Sequence, residues 1–145
     1  MQRRPQRDHI MRLRQQQMKA DGFRHYPSYF DNGDSRRLLS DLRSILNEAP
    51  LYRCKMPRSG RPLSVEMSNC GELGWHSDQQ LGYRYIQKHP VTGARWPAMP
   101  AQLLALWHDV AVYPAKPQAC LINYYASKAR MGLHADTDEE DMSAP

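Results

Sequence analysis

The sequence is poor in cysteine, in phenylalanine and in long apolar runs. Its three cysteines, Cys54, Cys70 and Cys120, lie far apart, with no CxxC and no zinc-finger spacing. That pattern excludes a disulfide framework and a cysteine-built zinc site. It suits reduced, mostly buried thiols in the cytoplasm. No run is long enough to cross a membrane, so no membrane association is expected. Met1 to Lys19 is polar and arginine-rich with no apolar centre, which excludes a secretory signal. It reads equally as a basic arm or as a start codon placed too early. Internal repeats are absent. Only two Phe stand against eight Tyr and three Trp, so most of the aromatics carry a polar handle and suit a binding surface as well as a core.

What is present fits one domain of modest core. The chain has 145 residues, 41% of them apolar, with 11 Pro and 8 Gly that imply many turns and few long helices. The formal charge is +5 and the pI about 9.3. A basic surface favours an anionic partner, because Lys and Arg displace counterions from phosphates. Many soluble domains are equally basic, so charge alone does not decide the matter.

Residues 1–24 hold seven Lys/Arg against two Asp and read as a basic extension outside the core. The spacing of Leu38, Leu39, Leu42, Ile45 and Leu46 predicts a packing helix over Ser35–Glu48, capped by Asp34 or Ser35 and stopped by Pro50. RCKMPRSGRP at 53–62 is a basic loop around Pro and Gly, either solvated or facing phosphates. Alternation predicts strands at 63–70 and 82–86, the latter with Tyr83 and Tyr85 on one face. WPAMP leads into a helix at Ala101–Val110, with Leu103, Leu106, Trp107 and Val110 as its buried side. Two further strands, Ala119–Tyr125 and Met131–Asp136, would form a hairpin through 126–130. The fold class is α+β, a β-rich domain with helices on one face. No protein partner can be read from the pattern.

His134-Ala135-Asp136 carries the chemistry. On an extended strand, side chains two apart share a face, so the imidazole and carboxylate would converge on one point. With a second His they would form a facial triad that leaves positions open on Fe(II) for a chelating keto acid and O₂. By itself an H-x-D tripeptide is cheap, and a surface His near an Asp is the commoner case.

Its surroundings raise its weight. The run CLINYYASKARMGLHADTDEEDMSAP contains Asn123-Tyr124-Tyr125, a short loop, Leu133-His134-Ala135-Asp136-Thr137-Asp138-Glu139 and a closing Ala144-Pro145. MSNCGELGW at 67–75, GYRY at 82–85 and WPAMP at 96–100 precede it in order. Together these blocks resemble the AlkB family of Fe(II)/2-oxoglutarate-dependent dioxygenases, bacterial members above all, over about residues 30–145. The resemblance implies the N-terminal part of a double-stranded β-helix, or jelly roll. Its domain would span 25–145, with flanking helices, a nucleotide-recognition lid over about 51–100 and the start of the jelly roll at about 117–145.

The resemblance also implies roles. His134 and Asp136 match iron ligands, and Asn123, Tyr124 and Tyr125 match the 2-oxoglutarate site. Alternation on the ACLINYY strand independently puts Asn123 and Tyr125 on one face. Trp75 matches an aromatic that stacks on the alkylated base, which suits a flipped base in need of a π-face. Tyr83, Arg84 and Tyr85 match a substrate-contacting stretch. Asp138 matches a carboxylate near the damaged base, where an anion would favour the cationic, alkylated form. Without the resemblance, Trp75 and Tyr125 read as core aromatics and Asp138 as one of a solvated acidic run. The implied reaction consumes O₂ and 2-oxoglutarate, hydroxylates the alkyl carbon on a base nitrogen and releases it as an aldehyde. The implied substrate is alkylated DNA, with RNA as the alternative, and the implied process is DNA repair.

The chain departs from the pattern at its end. No His follows His134 and no Arg follows Arg130; His9, His25, His76, His89 and His108 all lie upstream. The third iron ligand and the arginines that hold 2-oxoglutarate are therefore expected beyond Pro145, and the chain is expected to be an incomplete dioxygenase domain. The competing expectations are a catalytically inactive, nucleic-acid-binding remnant of such an enzyme and an unrelated metal-binding β domain.

Overall fold

The computed structural model describes residues 18–20, 23–111, 113–132 and 134. The chain divides into two compact units, 1–39 and 40–145. In the first, β1 (Met18–Ala20) pairs antiparallel with β2 (Phe23–His25), so part of the basic extension is ordered as strand. Helix α1 (Asn32–Glu48) begins there and ends in the second unit. It starts three residues earlier than the apolar stripe predicts, because Asp31 rather than Asp34 or Ser35 caps it. Asp31 Oδ1 accepts from the Asp34 N–H at 2.7 Å and Asp34 Oδ2 accepts from the Asp31 N–H at 3.3 Å, a reciprocal capping box. Of the stripe only Ile45 is fully buried, and Leu39 is exposed.

The second unit is antiparallel. Strand β3 (Glu66–Gly71) pairs with β6 (Ala119–Tyr124), and β4 (Gly74–Asp78) pairs with β5 (Gly82–Ile86). β4 also lies against β3 and β6. Two glycines are dictated by contact. A Cβ on Gly74 would intrude on the Trp96 indole, and one on Gly71, at φ +120°, would strike the Gln118 carbonyl 2.5 Å away. Removing the side chains lets the backbones close.

The core gathers Ala49, Tyr52, Cys54, Met67 and Trp96, with Leu63, Trp75 and Ile86 packed against it. Its polar members are bonded. Ser68 Oγ donates to Ala49 O at 2.7 Å and Trp96 Nε1 donates to Ile86 O at 2.8 Å. His89, fully buried, donates from Nε2 to Pro50 O at 2.7 Å and accepts at Nδ1 from the N–H groups of Val91 and Thr92. One imidazole thus braces the turn that delivers Trp96.

Helix α2 (Ala101–Val110) has the predicted bounds, with Pro100 at its N-cap. Its predicted buried side is only half-buried, and none of its residues is fully buried. The 119–125 strand ends at Tyr124 and pairs with β3; among the described residues it has no pairing with the predicted 131–136 strand. Met131, Gly132 and His134 are not in a strand; Leu133, Ala135 and Asp136 lie outside the described residues. The chain leaving β6 is clipped at Arg130. Ser64 Oγ donates to Arg130 O at 3.0 Å and accepts from its N–H at 3.1 Å, so this stretch runs toward Ser64.

No helix among the described residues is long and apolar enough to cross a membrane.

Candidate functional site

The β4–β5 register sets Trp75 opposite Tyr85, His76 opposite Arg84 and Ser77 opposite Tyr83. Alternation then puts Trp75, Tyr83 and Tyr85 on one face and His76, Asp78 and Arg84 on the other. On the first face the Trp75 and Tyr83 rings stack diagonally, 5.5 Å between centroids and 29° between planes. Trp75 is half-buried and Tyr83 is 48% exposed. An aromatic pair open on one side offers a π-face to a flat ligand.

Trp75 is held from behind. Asn69, fully buried on β3, accepts from the Trp75 N–H at 3.0 Å and donates from Nδ2 to Trp75 O at 3.1 Å. Tyr52 Oη donates to the same carbonyl at 3.2 Å. Burial pushes the Tyr52 hydroxyl far above the usual phenol range, so it remains a donor. Sequence reading missed Asn69 and Tyr52; only the MSN before GELGW hinted at a polar residue inside a strand.

The opposite face is a polar chain. Arg84 donates to Asp78 Oδ2 and, from its other terminal nitrogen, to Gly82 O at 3.0 Å. The guanidinium holds the Asp78 carboxyl well below the usual carboxylate range, helped by the Leu81 N–H. His76 Nε2 lies 3.4 Å from Asp78 Oδ2, and its Nδ1 lies 3.5 Å from Cys54 Sγ. Burial, with Arg84 adding to it, lowers the His76 pKa below 6.5, while burial raises the Cys54 thiol. This is a neutral histidine beside a neutral thiol. Arg84 therefore braces the strand pair on the face away from Trp75, Tyr83 and Tyr85.

On β6, Asn123 stands opposite Met67. Its Oδ1 is buried and has no partner among the described residues. An unpaired buried amide oxygen is costly, and only a hydrogen-bond donor would relieve it. The Asn123 Nδ2 can donate to an oxygen of a keto-acid co-substrate, whereas its Oδ1 needs a donor that such a co-substrate does not carry. Tyr124 points outward, 54% exposed. Tyr125, one residue past the strand, is 48% exposed and donates to Met131 Sδ at 3.5 Å. Asn123 thus lies within the strand and Tyr125 one residue beyond its end.

His134 is exposed, with Nδ1 2.9 Å from Gly132 O. An Nδ1–H donated to that carbonyl puts the ring lone pair on Nε2, the usual arrangement in a metal-binding histidine. The imidazole therefore fits a divalent iron. Asp136 and Asp138 lie outside the described residues. Among the described residues no cluster of three or more His, Cys, Asp or Glu could hold a metal.

Comparison with known proteins defines the class. Residues 22–145 match the 2OG-Fe(II) oxygenase superfamily, and the chain belongs to that superfamily, which implies a jelly-roll fold. Within it the similarity runs to AlkB proteins. The chain is 41% identical over 124 residues to the alpha-ketoglutarate-dependent dioxygenase AlkB homolog of Caulobacter vibrioides, covering 86% of this chain and 56% of that protein. It is 40% identical over 115 residues to alpha-ketoglutarate-dependent dioxygenase AlkB of Escherichia coli, covering 77% and 52%. The Salmonella typhimurium AlkB is 37% identical over the same shares. The chain spans about half the length of these curated relatives.

Proposed function

We propose that this chain forms the base-recognition and iron-entry half of a dioxygenase that removes alkyl groups from nucleic-acid bases, with Fe(II), 2-oxoglutarate and O₂. When bound, iron with 2-oxoglutarate supplies the oxidising power that hydroxylates the alkyl carbon, which then leaves as an aldehyde. The chain's own residues bind and orient. His134 Nε2 and the Asp136 carboxylate would hold the metal. Asn123, with Tyr124 and Tyr125, would hold 2-oxoglutarate. Trp75 and Tyr83 supply the face on which an extruded base regains the stacking it lost. Tyr85 shares that face, and Asp138 would favour a cationic base. The substrate is DNA in the first instance, with RNA as the alternative.

The observation that carries the reading is the open Trp75–Tyr83 pair, held in place by Asn69 in a chain of this superfamily. The test is aldehyde release from a short single strand carrying one N-methylated base, by a protein that joins this chain to a C-terminal half supplying the third iron ligand, with Fe(II), 2-oxoglutarate and oxygen supplied. Release that depends on 2-oxoglutarate and is lost in His134→Ala and Asp136→Ala is expected. Release that persists in both variants would remove these residues from the metal site.

A further inference from the structure

The β3–β6 ladder holds a pair of thiols that neither the base site nor the metal site uses. Cys70 on β3 stands opposite Cys120 on β6 in the antiparallel register. The backbone shows what kind of pair this is. Met67 exchanges both of its main-chain bonds with Tyr52, so its backbone groups turn away from β6. Gly71 N–H likewise turns away and donates to Pro97 O at 2.8 Å. These groups alternate sides along a strand. Cys70 therefore turns its own toward β6, and Cys70–Cys120 is a hydrogen-bonded pair. Its Cα atoms stand about 5.5 Å apart, inside the range of about 4.4–6.8 Å that a disulfide spans. The two side chains share a face, and their thiols share a hydrogen bond.

The two sulfurs are unequal. Cys70 is fully buried, whereas Cys120 is half-buried and within reach of a small solute. The bond donated by Cys70 favours the Cys120 thiolate, so Cys120 lies below the usual thiol range and Cys70 above it. A thiolate within reach of solvent is the nucleophile, and a thiol beside it can resolve its oxidised form. Cys54 has no such neighbour: fully buried, it faces His76 Nδ1 at 3.5 Å and the Ser77 N–H at 3.4 Å. The pair sits one step from the end of the ladder, where Glu72 and Leu73 both donate to Gln118 O. Opposed Cβ atoms lie about 4.5–5.5 Å apart, farther in hydrogen-bonded pairs, and a disulfide needs about 3.5–4.5 Å. Closing the bond thus draws the strand ends together by roughly 1 Å. That strain keeps the bridge easy to reduce.

We propose that Cys120 is a site of oxidation by hydrogen peroxide and that Cys70 resolves it, so that the pair cycles between two thiols and a disulfide. The Cys120 thiolate attacks one peroxide oxygen. The O–O bond breaks, hydroxide leaves and takes up a proton, and Cys120 becomes a sulfenic acid. The Cys70 sulfur then attacks the Cys120 sulfur. The S–O bond breaks, the S–S bond forms, and the hydroxyl leaves as water with the Cys70 proton. Two thiols lose two electrons, and one peroxide becomes two waters. A dithiol reverses the change by exchange. In reducing surroundings such a bridge is transient rather than structural. It clamps the two ends of the segment 71–119, which carries β4, β5 and α2. The proposal stands on the β3–β6 register and does not depend on the nucleic-acid reading.

The test is peptide mapping after oxidation. The reduced full chain is treated with an equimolar amount of hydrogen peroxide, denatured in the presence of iodoacetamide and mapped by mass without reduction. The expected product is a monomer in which the Cys70 and Cys120 peptides are joined and Cys54 is alkylated. Dithiothreitol should restore both thiols. Cys54→Ser should form the bridge as fully as the parent. Cys70→Ala removes the resolving thiol, so dimedone should trap Cys120 as its sulfenic acid. Cys120→Ser should leave Cys70 a free thiol over the same exposure to peroxide. The map of the parent needs no variant and decides by itself. No linked peptide, a bridge that includes Cys54, or a bridge found only between two molecules would overturn the proposal. Dimedone labelling of Cys70 in Cys120→Ser, as fast as that of Cys120 in Cys70→Ala, would overturn the assigned roles.

Discussion

The side-chain amide of Asn69 closes on both main-chain groups of Trp75, accepting from its N–H at 3.0 Å and donating to its carbonyl at 3.1 Å. A side chain from β3 thus substitutes for a strand partner at the residue whose ring faces the site. Asn69→Ala leaves a buried N–H without its acceptor, since Tyr52 satisfies only the carbonyl. A loss of about 1–3 kcal/mol is expected, read by denaturant unfolding. Trp75 emission should shift toward the red in the folded variant. An unchanged midpoint and spectrum would show that the clip does not hold the indole.

Gly74 faces the Trp96 ring with no room for a methyl group. Gly74→Ala should destabilise the fold by about 1–3 kcal/mol through overpacking. Thermal unfolding reads this directly. A midpoint equal to that of the parent would mean that Trp96 yields without cost.

His76 supplies a pH test. Its pKa is lowered in the fold, first by burial and then by Arg84. The unfolded chain therefore binds more protons between the lowered value and about 6.5. The stabilisation is fully present above about pH 6.5 and is lost as pH falls toward the folded value. Stability should decline on acidification in that window, and His76→Gln should decline less. Identical pH profiles for the two would remove His76 from the account. Asp78, held low by Arg84, keeps its contribution until far lower pH.

Cys70 and Cys120 face one another across β3 and β6. Their hydrogen bond lowers Cys120 to about 7 and raises Cys70. Cys120 is half-buried, whereas Cys54 and Cys70 are fully buried. Iodoacetamide at pH 8 should label Cys120 first, and Cys54 and Cys70 only after denaturation, as peptide mass mapping would show. Equally rapid labelling of Cys70 would contradict the buried pair.

Much of this was legible in the residues. The α1 stripe, the α2 bounds, the β5 alternation and the ACLINYY strand all follow from periodicity and proline placement. The β4 strand did not, because GWHSD carries no clear alternation of apolar and polar types and owes its pairing to a turn capped by Asp78. Burial was harder to foresee than structure. Leu39 and the α2 stripe are more open than their pattern suggests, since amphipathicity marks a face that seeks cover without showing what covers it. Of the site, Trp75 and Tyr83 were found together, whereas Arg84 turned to the other face. The Asn69 clip joins residues on two strands, a relation that composition does not encode.

The most direct test of the central claim compares two single strands of equal length, one bearing a single N-methylated base. Binding to the full chain is measured with Fe(II) and 2-oxoglutarate present and oxygen excluded. The account predicts tighter binding of the methylated strand, and loss of that preference in Trp75→Ala. Equal affinity for both strands, or a preference that survives Trp75→Ala, would contradict it.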